Sequence, residues 1–265
     1  MDEQILDELI QNWDKYPPAL RISMAVVIGL LVICAIVSLV VSIYLAISYH
    51  KYNKKQNSVN RTGEEIARGV LDEYGLENIA VKCSGSFLFG NSYSHYFKKV
   101  RLRRMTWKKS SVSSMAMAVQ KSCLAILDKE QDHDMANRVR LTPFIYVGPI
   151  ACIPLILIGL VLDIIIFDTV GNIAVACTIL GLALYVLSFV MSLLVLKTEV
   201  KAQNRAYEVA RACCIANEEE IGDMKTLFRL YNIEYVNNMI TALLEIVLRV
   251  LSILAETNSS SSSKD

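Results

Sequence analysis

Ile22 to Ser48 reads ISMAVVIGLLVICAIVSLVVSIYLAIS, a run with no charged residue. A helix rises ~1.5 Å per residue, so about 20 apolar residues cross the ~30 Å hydrocarbon layer of a bilayer, and this run exceeds that length. A secretory leader would have a shorter apolar core behind a basic start. The residues ahead of this run, MDEQILDELIQNWDKYPPALR, are mostly acidic. The run therefore reads as a retained transmembrane helix, 22–48, behind an N-terminal segment, 1–21.

Two further apolar runs lie downstream. The first, 144–167, contains Pro149 and Pro154, expected to kink it, with Asp163 near its far end. The second, 173–196, offers Gly181, Ala183 and Ser188 for close helix packing. Only DTVGN separates them, which predicts a tight antiparallel hairpin. A last stretch, 233–255, is apolar except for Asn237, Thr241, Glu245, Arg249 and Ser252. Those five recur at helical spacing and line one face, the pattern of a fourth span or of a helix lying in the interface. Residues 256–265, ETNSSSSSKD, read as a disordered tail.

Whole-chain composition agrees: 54% hydrophobic residues, a mean hydropathy of +0.39 and a net charge of +1 argue against a soluble enzyme and a nucleic-acid binder. Seven cysteines show no CxxC spacing and no disulfide framework, and Cys213 and Cys214 read as neighbours on a helix. Lys and Arg concentrate in 49–143 and 197–232, and the N-terminal segment holds only Lys15 and Arg21. The positive-inside rule then places both basic segments in the cytoplasm and the N-terminus outside a cell membrane crossed several times. The cluster Lys98 to Lys109, interleaved with Trp107, reads either as a contact with anionic headgroups or as a solvated face.

Within 49–143, TGEEIARGVLDEYGLENIAV (Thr62 to Val81) predicts a helix opened by a Thr62/Glu65 capping box, ended at Gly75 and followed by a strand. A loop, a strand KKVRL (Lys98 to Leu102) and a helix from about Ser110 follow. These words, the hairpin and EVKAQNRAYEVA (Glu199 to Ala210) resemble the bacterial membrane-bound neutral zinc metallopeptidases, from about Tyr52 to Leu254. The resemblance implies a mainly α, multi-pass membrane protein with a cytoplasmic α+β zincin-like insertion. It also implies a zinc signature on the 110–127 helix: two histidines four apart, reaching one Zn²⁺ from one face, and a glutamate that activates the bound water.

This chain reads SSVSSMAMAVQKSCLAIL there. On that alignment Gln120 and Leu124 stand for the histidines and Lys121 for the glutamate, so the active-site helix is degenerate. Glu199 keeps the family's downstream carboxylate and Lys201 replaces a nearby aspartate. The family's Asp-His-Tyr-Asp loop reads Asn91, Ser92, Tyr93 and Ser94 and keeps only the tyrosine. Of the three histidines, His50 suits the membrane edge, His95 sits beside the altered loop, and His133 lies in a polar stretch read as a solvated loop. Glu199 is expected to pair with Lys201, Arg205 or Lys121.

The expected function is that of a pseudopeptidase without catalytic residues, metal ligands or cofactor: a membrane scaffold or binding subunit. Its partners would be the lipid bilayer and an active relative or other membrane protein, with no nucleic acid. Two alternatives differ in class. One is an active peptidase with relocated zinc ligands, Glu199 with His95 or His133. The other is an oligomeric transporter or channel component built on the polar stripe from Asn237 to Ser252.

Overall fold

The computed structural model describes residues 18–85, 90–145, 147–167 and 172–262, so most of the N-terminal segment and of the hairpin turn lies outside the described residues. The protein is mainly helical. In chain order the elements are α1 (Pro18–Lys54), α2 (Gly63–Glu73), β1 (Ala80–Ser84), β2 (Ser92–Ser94), β3 (Lys99–Arg103), α3 (Arg104–Lys108), α4 (Val112–Lys129), α5 (His133–Ile145), α6 (Val147–Phe167), α7 (Asn172–Ala212) and α8 (Glu218–Ser262). The chain divides into two compact units: Met1–Val40 with Phe144–Val190 and Glu234–Asp265, and Val41–Pro143 with Met191–Ile233.

Among the described residues, three helices are long and apolar enough to cross a membrane: α1, α7 and α8. α6 adds a shorter apolar stretch, Pro154–Asp163, and its helix continues unbroken through Pro154. In this first unit, Met24, Val27 and Leu31 of α1 pack with Leu248 of α8, and Asn237 Nδ2 donates to the Cys34 carbonyl at 3.1 Å. Gly159 lets α6 approach α7 closely; a Cβ there would lie 2.7 Å from Cys177 Cβ and 3.0 Å from the Ala174 backbone. Asp163 is buried and accepts from the first backbone N–H groups of α7, Ile173 N at 3.2 Å and Ala174 N at 2.7 Å, which ties the hairpin across its turn.

The second unit is built around α4. Its sequence is mostly small or apolar, and all of Val112 to Leu127 is buried, so it forms the centre of the core. Ser111 caps it by accepting from Ser114 N at 3.3 Å. α2 lies against α4 through Ile66, Ala67, Val70 and Leu71, a stripe at helical spacing that is buried. Burial of each larger side chain in such a stripe is worth about 1.5–3 kcal/mol. The Thr62/Glu65 capping box is present as expected, and α2 ends at Gly75, whose φ of +63° is costly for any residue with a Cβ. Lys129 Nζ closes that end by donating to the carbonyls of Tyr74 and Gly75 at 2.6 and 3.1 Å.

The sheet has the order β1-β3-β2, with β1 parallel and β2 antiparallel to β3. The register pairs Val81 with Val100 and Tyr93 with Val100, and these side chains face the core. The alternate positions face outward: Lys99, Arg101 and Arg103 on β3, Lys82 beside Arg101, and Ser92 and Ser94 on β2.

Several sequence expectations are corrected here. Asn91 to Ser94 is not simply a loop: Ser92–Ser94 forms β2, because pairing with β3 satisfies its backbone and buries Tyr93. His133 does not sit in a loop but opens α5, capped by Asp132, which accepts from Asp134 N and Met135 N. Cys213 and Cys214 lie past the end of α7, with Cys214 at φ +50°, and the six described cysteines are free. Trp107 packs partly buried against the core instead of facing outward. The tail is helical as far as Ser262, since extending an existing helix avoids the nucleation cost.

Candidate functional site

α4 and α7 meet at Glu199. Gln120 Nε2 donates to Glu199 Oε2 at 3.0 Å and Lys121 Nζ donates to the same oxygen at 2.9 Å. Arg138, from α5, holds the other oxygen, Oε1, at 2.7 Å. The three charged side chains are each less than one-fifth exposed. Burial alone would raise the Glu199 carboxyl pKa, but Lys121 and Arg138 outweigh it and hold the group below its ordinary range. Leu124, one turn beyond Gln120, is fully buried among apolar neighbours.

Lys201 does not join this group. It bonds Asp132 and lies 3.5 Å from Asp134, while Lys197 holds Asp134 at 2.9 Å. Thr198 Oγ1 also donates to the Asp134 carbonyl at 3.0 Å, so the start of α5 is fastened to α7. The Lys201 ammonium is raised, first by its Asp132 bond, and burial is outweighed at Asp132, whose carboxyl is lowered by the same partner. Arg205 turns instead to Glu130 and Glu208. Of the three partners expected for Glu199, Lys121 is the one the structure supplies.

The altered loop lies elsewhere. Asn91 Oδ1 accepts from Arg103 N at 2.7 Å, and Ser92 and Ser94 face outward. Tyr93 points inward, and its hydroxyl donates to Asp128 Oδ2 at 2.6 Å. His95 Nδ1 lies 2.8 Å from both Asp128 oxygens and Lys98 Nζ donates at 3.2 Å. Asp128 follows Lys121 by seven residues on α4, about 11 Å along one stripe of that helix. His50 is exposed on α1, and His133 is exposed with its Nδ1 3.3 Å from Asn137 Nδ2.

Arg138 and Asp128 were missed from the sequence. Arg138, in ANRVRL, carries no local signal, because its role comes from the folding of α5 against α7. Asp128 had one: it shares a helix stripe with Lys121.

Zinc requires lone pairs from imidazole, thiolate or carboxylate donors. At this point of the fold it would meet an ammonium, a hydrocarbon and an amide that donates its N–H, beside a carboxylate whose two oxygens are already taken. This donor set does not fit zinc. Among the described residues no three His, Cys, Asp or Glu side chains are grouped closely enough to share a metal.

A family model described as putative neutral zinc metallopeptidase matches residues 27–255, most of the chain. The chain belongs to that family. No curated protein and no solved structure matches it.

Proposed function

We propose that this chain is a zinc-free member of its family that works in the membrane as a binding or scaffolding subunit. The supporting observation is the ion-paired group Lys121–Glu199–Arg138 on α4, α7 and α5. In this reading Gln120, Lys121 and Leu124 are the former signature positions, and Glu199 is a retained ligand whose charge is now balanced by protein cations. An ammonium at Lys121 takes over the electrostatic task of a metal cation but supplies no water for attack on a peptide bond.

The same reading makes 22–48, 144–167, 173–196 and 233–255 the spans of a multi-pass cell-membrane protein. The N-terminus then lies outside, with 49–143 and 197–232 in the cytoplasm. The outward-facing residues of the long helices, such as Ile33, Leu39, Ile179 and Leu180, suit lipid contact. The partner is an active relative or another membrane protein held by the former substrate region.

The first test is metal content of the detergent-purified chain by mass spectrometry after dialysis in metal-free buffer. The expected result is far less than one zinc per chain, with no chelator-sensitive cleavage of an unfolded protein. Zinc near one per chain, lost with Glu199→Ala, would establish relocated ligands and overturn the proposal. Purification from native membranes in mild detergent tests the partner, and a chain that always emerges alone counts against a scaffold. Reporter fusions at each terminus test the topology.

A further inference from the structure

The outward face of the small sheet carries four cations in one patch. Lys99, Arg101 and Arg103 alternate along β3, about 7 Å apart, and Lys82 stands beside Arg101 on β1. No acidic side chain among the described residues pairs with any of the four. The Lys99 ammonium is pulled below its ordinary range, first by desolvation and then by the like charges of Arg101 and Lys82. Several other cations of this unit do hold carboxylates, among them Lys55 with Asp223, Lys121 with Glu199 and Lys201 with Asp132.

At the turn joining β2 to β3, Tyr96 and Phe97 are 73% and 69% exposed, and the Lys99 ammonium lies 4.2 Å from the Phe97 ring centroid. Adjacent aromatic rings exposed beside a basic sheet face match the composition of a membrane-interface surface, where aromatic rings sit at headgroup level and cations meet phosphate and carboxylate groups.

We propose that this sheet face, with Tyr96 and Phe97 at its tip, docks on an anionic lipid surface. Charge complementarity selects an anionic occupant. The chain itself selects lipid, because Lys82 follows Lys54, the last residue of α1, by only 28 residues. α1 is long and apolar enough to cross a membrane, so its bilayer is tethered at high effective concentration, whereas a free polyanion must be recruited from solution. The surface needs no pocket, since headgroups are laterally mobile and adjust to the spacing of the cations. The inference does not depend on whether the Glu199 site is free of zinc.

The test uses the full chain in nanodiscs of phosphatidylcholine alone or mixed with phosphatidylserine. A water-soluble acetylating reagent marks exposed lysines, and mass spectrometry reads Lys82 and Lys99 relative to Lys225. Each cation that reaches an anionic surface favours the docked state about fivefold, so acetylation of Lys82 and Lys99 should fall at least that much with phosphatidylserine. It should recover at high salt and in the Arg101→Gln/Arg103→Gln variant, whose changes face outward and spare the core. Tyr96→Ser/Phe97→Ser should reduce the protection without removing its salt dependence. Equal acetylation in both discs would overturn the proposal. Protection given only by an added RNA oligonucleotide or acidic peptide would overturn it in favour of a soluble polyanion.

Discussion

Glu199 and Asp128 lie in the same unit and each gathers three side chains, but the donors differ in kind. Glu199 holds Gln120, Lys121 and Arg138, an amide, an ammonium and a guanidinium. Asp128 holds a phenol, an imidazole and the exposed ammonium of Lys98, at the margin of the sheet. Glu199 is therefore set up as a fixed ionic bond inside the core. Asp128 is a hydrogen-bonded corner where a single ammonium is joined by a phenol and a ring nitrogen. A buried carboxylate shows little about chemistry until its donors are named.

The largest expected effect breaks the first cluster. Glu199→Leu leaves Lys121 and Arg138 buried without an anion and should cost about 3 kcal/mol, because an uncompensated buried charge keeps its desolvation penalty. A lowered unfolding midpoint in detergent reads this. Adding Lys121→Met should recover part of the loss, and no recovery would mean that Lys121 is not confined by Glu199.

Asp128→Asn should cost about 2 kcal/mol, in the range for hydrogen bonds to charged groups. Burial would raise the Asp128 carboxyl, but its bonds from Tyr93, His95 and Lys98 outweigh that and lower it. Its folded value thus lies below the unfolded one. The stability it adds is present above the unfolded carboxylate value of about 3.9 and is lost as pH falls through the folded value. The asparagine variant should remove that part of the acid loss.

Tyr93→Phe should cost about 1 kcal/mol for the lost hydroxyl bond. Burial, then the Asp128 bond, raise the Tyr93 phenol well above its ordinary value. Its stabilisation is complete below the unfolded value of about 10 and is lost as pH rises through the folded one, so the phenylalanine variant should lack this alkaline loss. Glu199→Leu should leave that alkaline behaviour unchanged, which separates the two clusters. Thr62→Ala, at a residue that belongs to neither cluster, should cost about 0.5 kcal/mol for a partly exposed cap and serves as the small reference.

Local chemistry was the legible part. The Thr62/Glu65 capping box, the stop at Gly75, strand β3 and the existence of the long apolar helices are written in neighbouring residues, although α7 and α8 extend well beyond the apolar stretches 173–196 and 233–255. The approach of Glu199 to Lys121 was one of three pairings that the sequence left open. What was illegible depends on contacts distant in sequence. β2 is only three residues long and exists because β3 lies beside it. Arg138 reaches Glu199 through the packing of α5, and Trp107 turns inward although its basic neighbours suggested a surface. Cys213 and Cys214 missed the helix because α7 stops at Ala212, a boundary no proline or glycine announces.

The strict alternation along β3 constrains how this segment can change. Exchanging one cation for another at Lys99, Arg101 or Arg103 leaves the pattern intact. An insertion or deletion of a single residue between Lys98 and Arg103 does not, because every later side chain then changes face. Leu102 would turn to water and a guanidinium would turn toward α4. Relatives that keep this sheet should therefore vary freely in the choice of basic residue and hardly at all in the length of the segment.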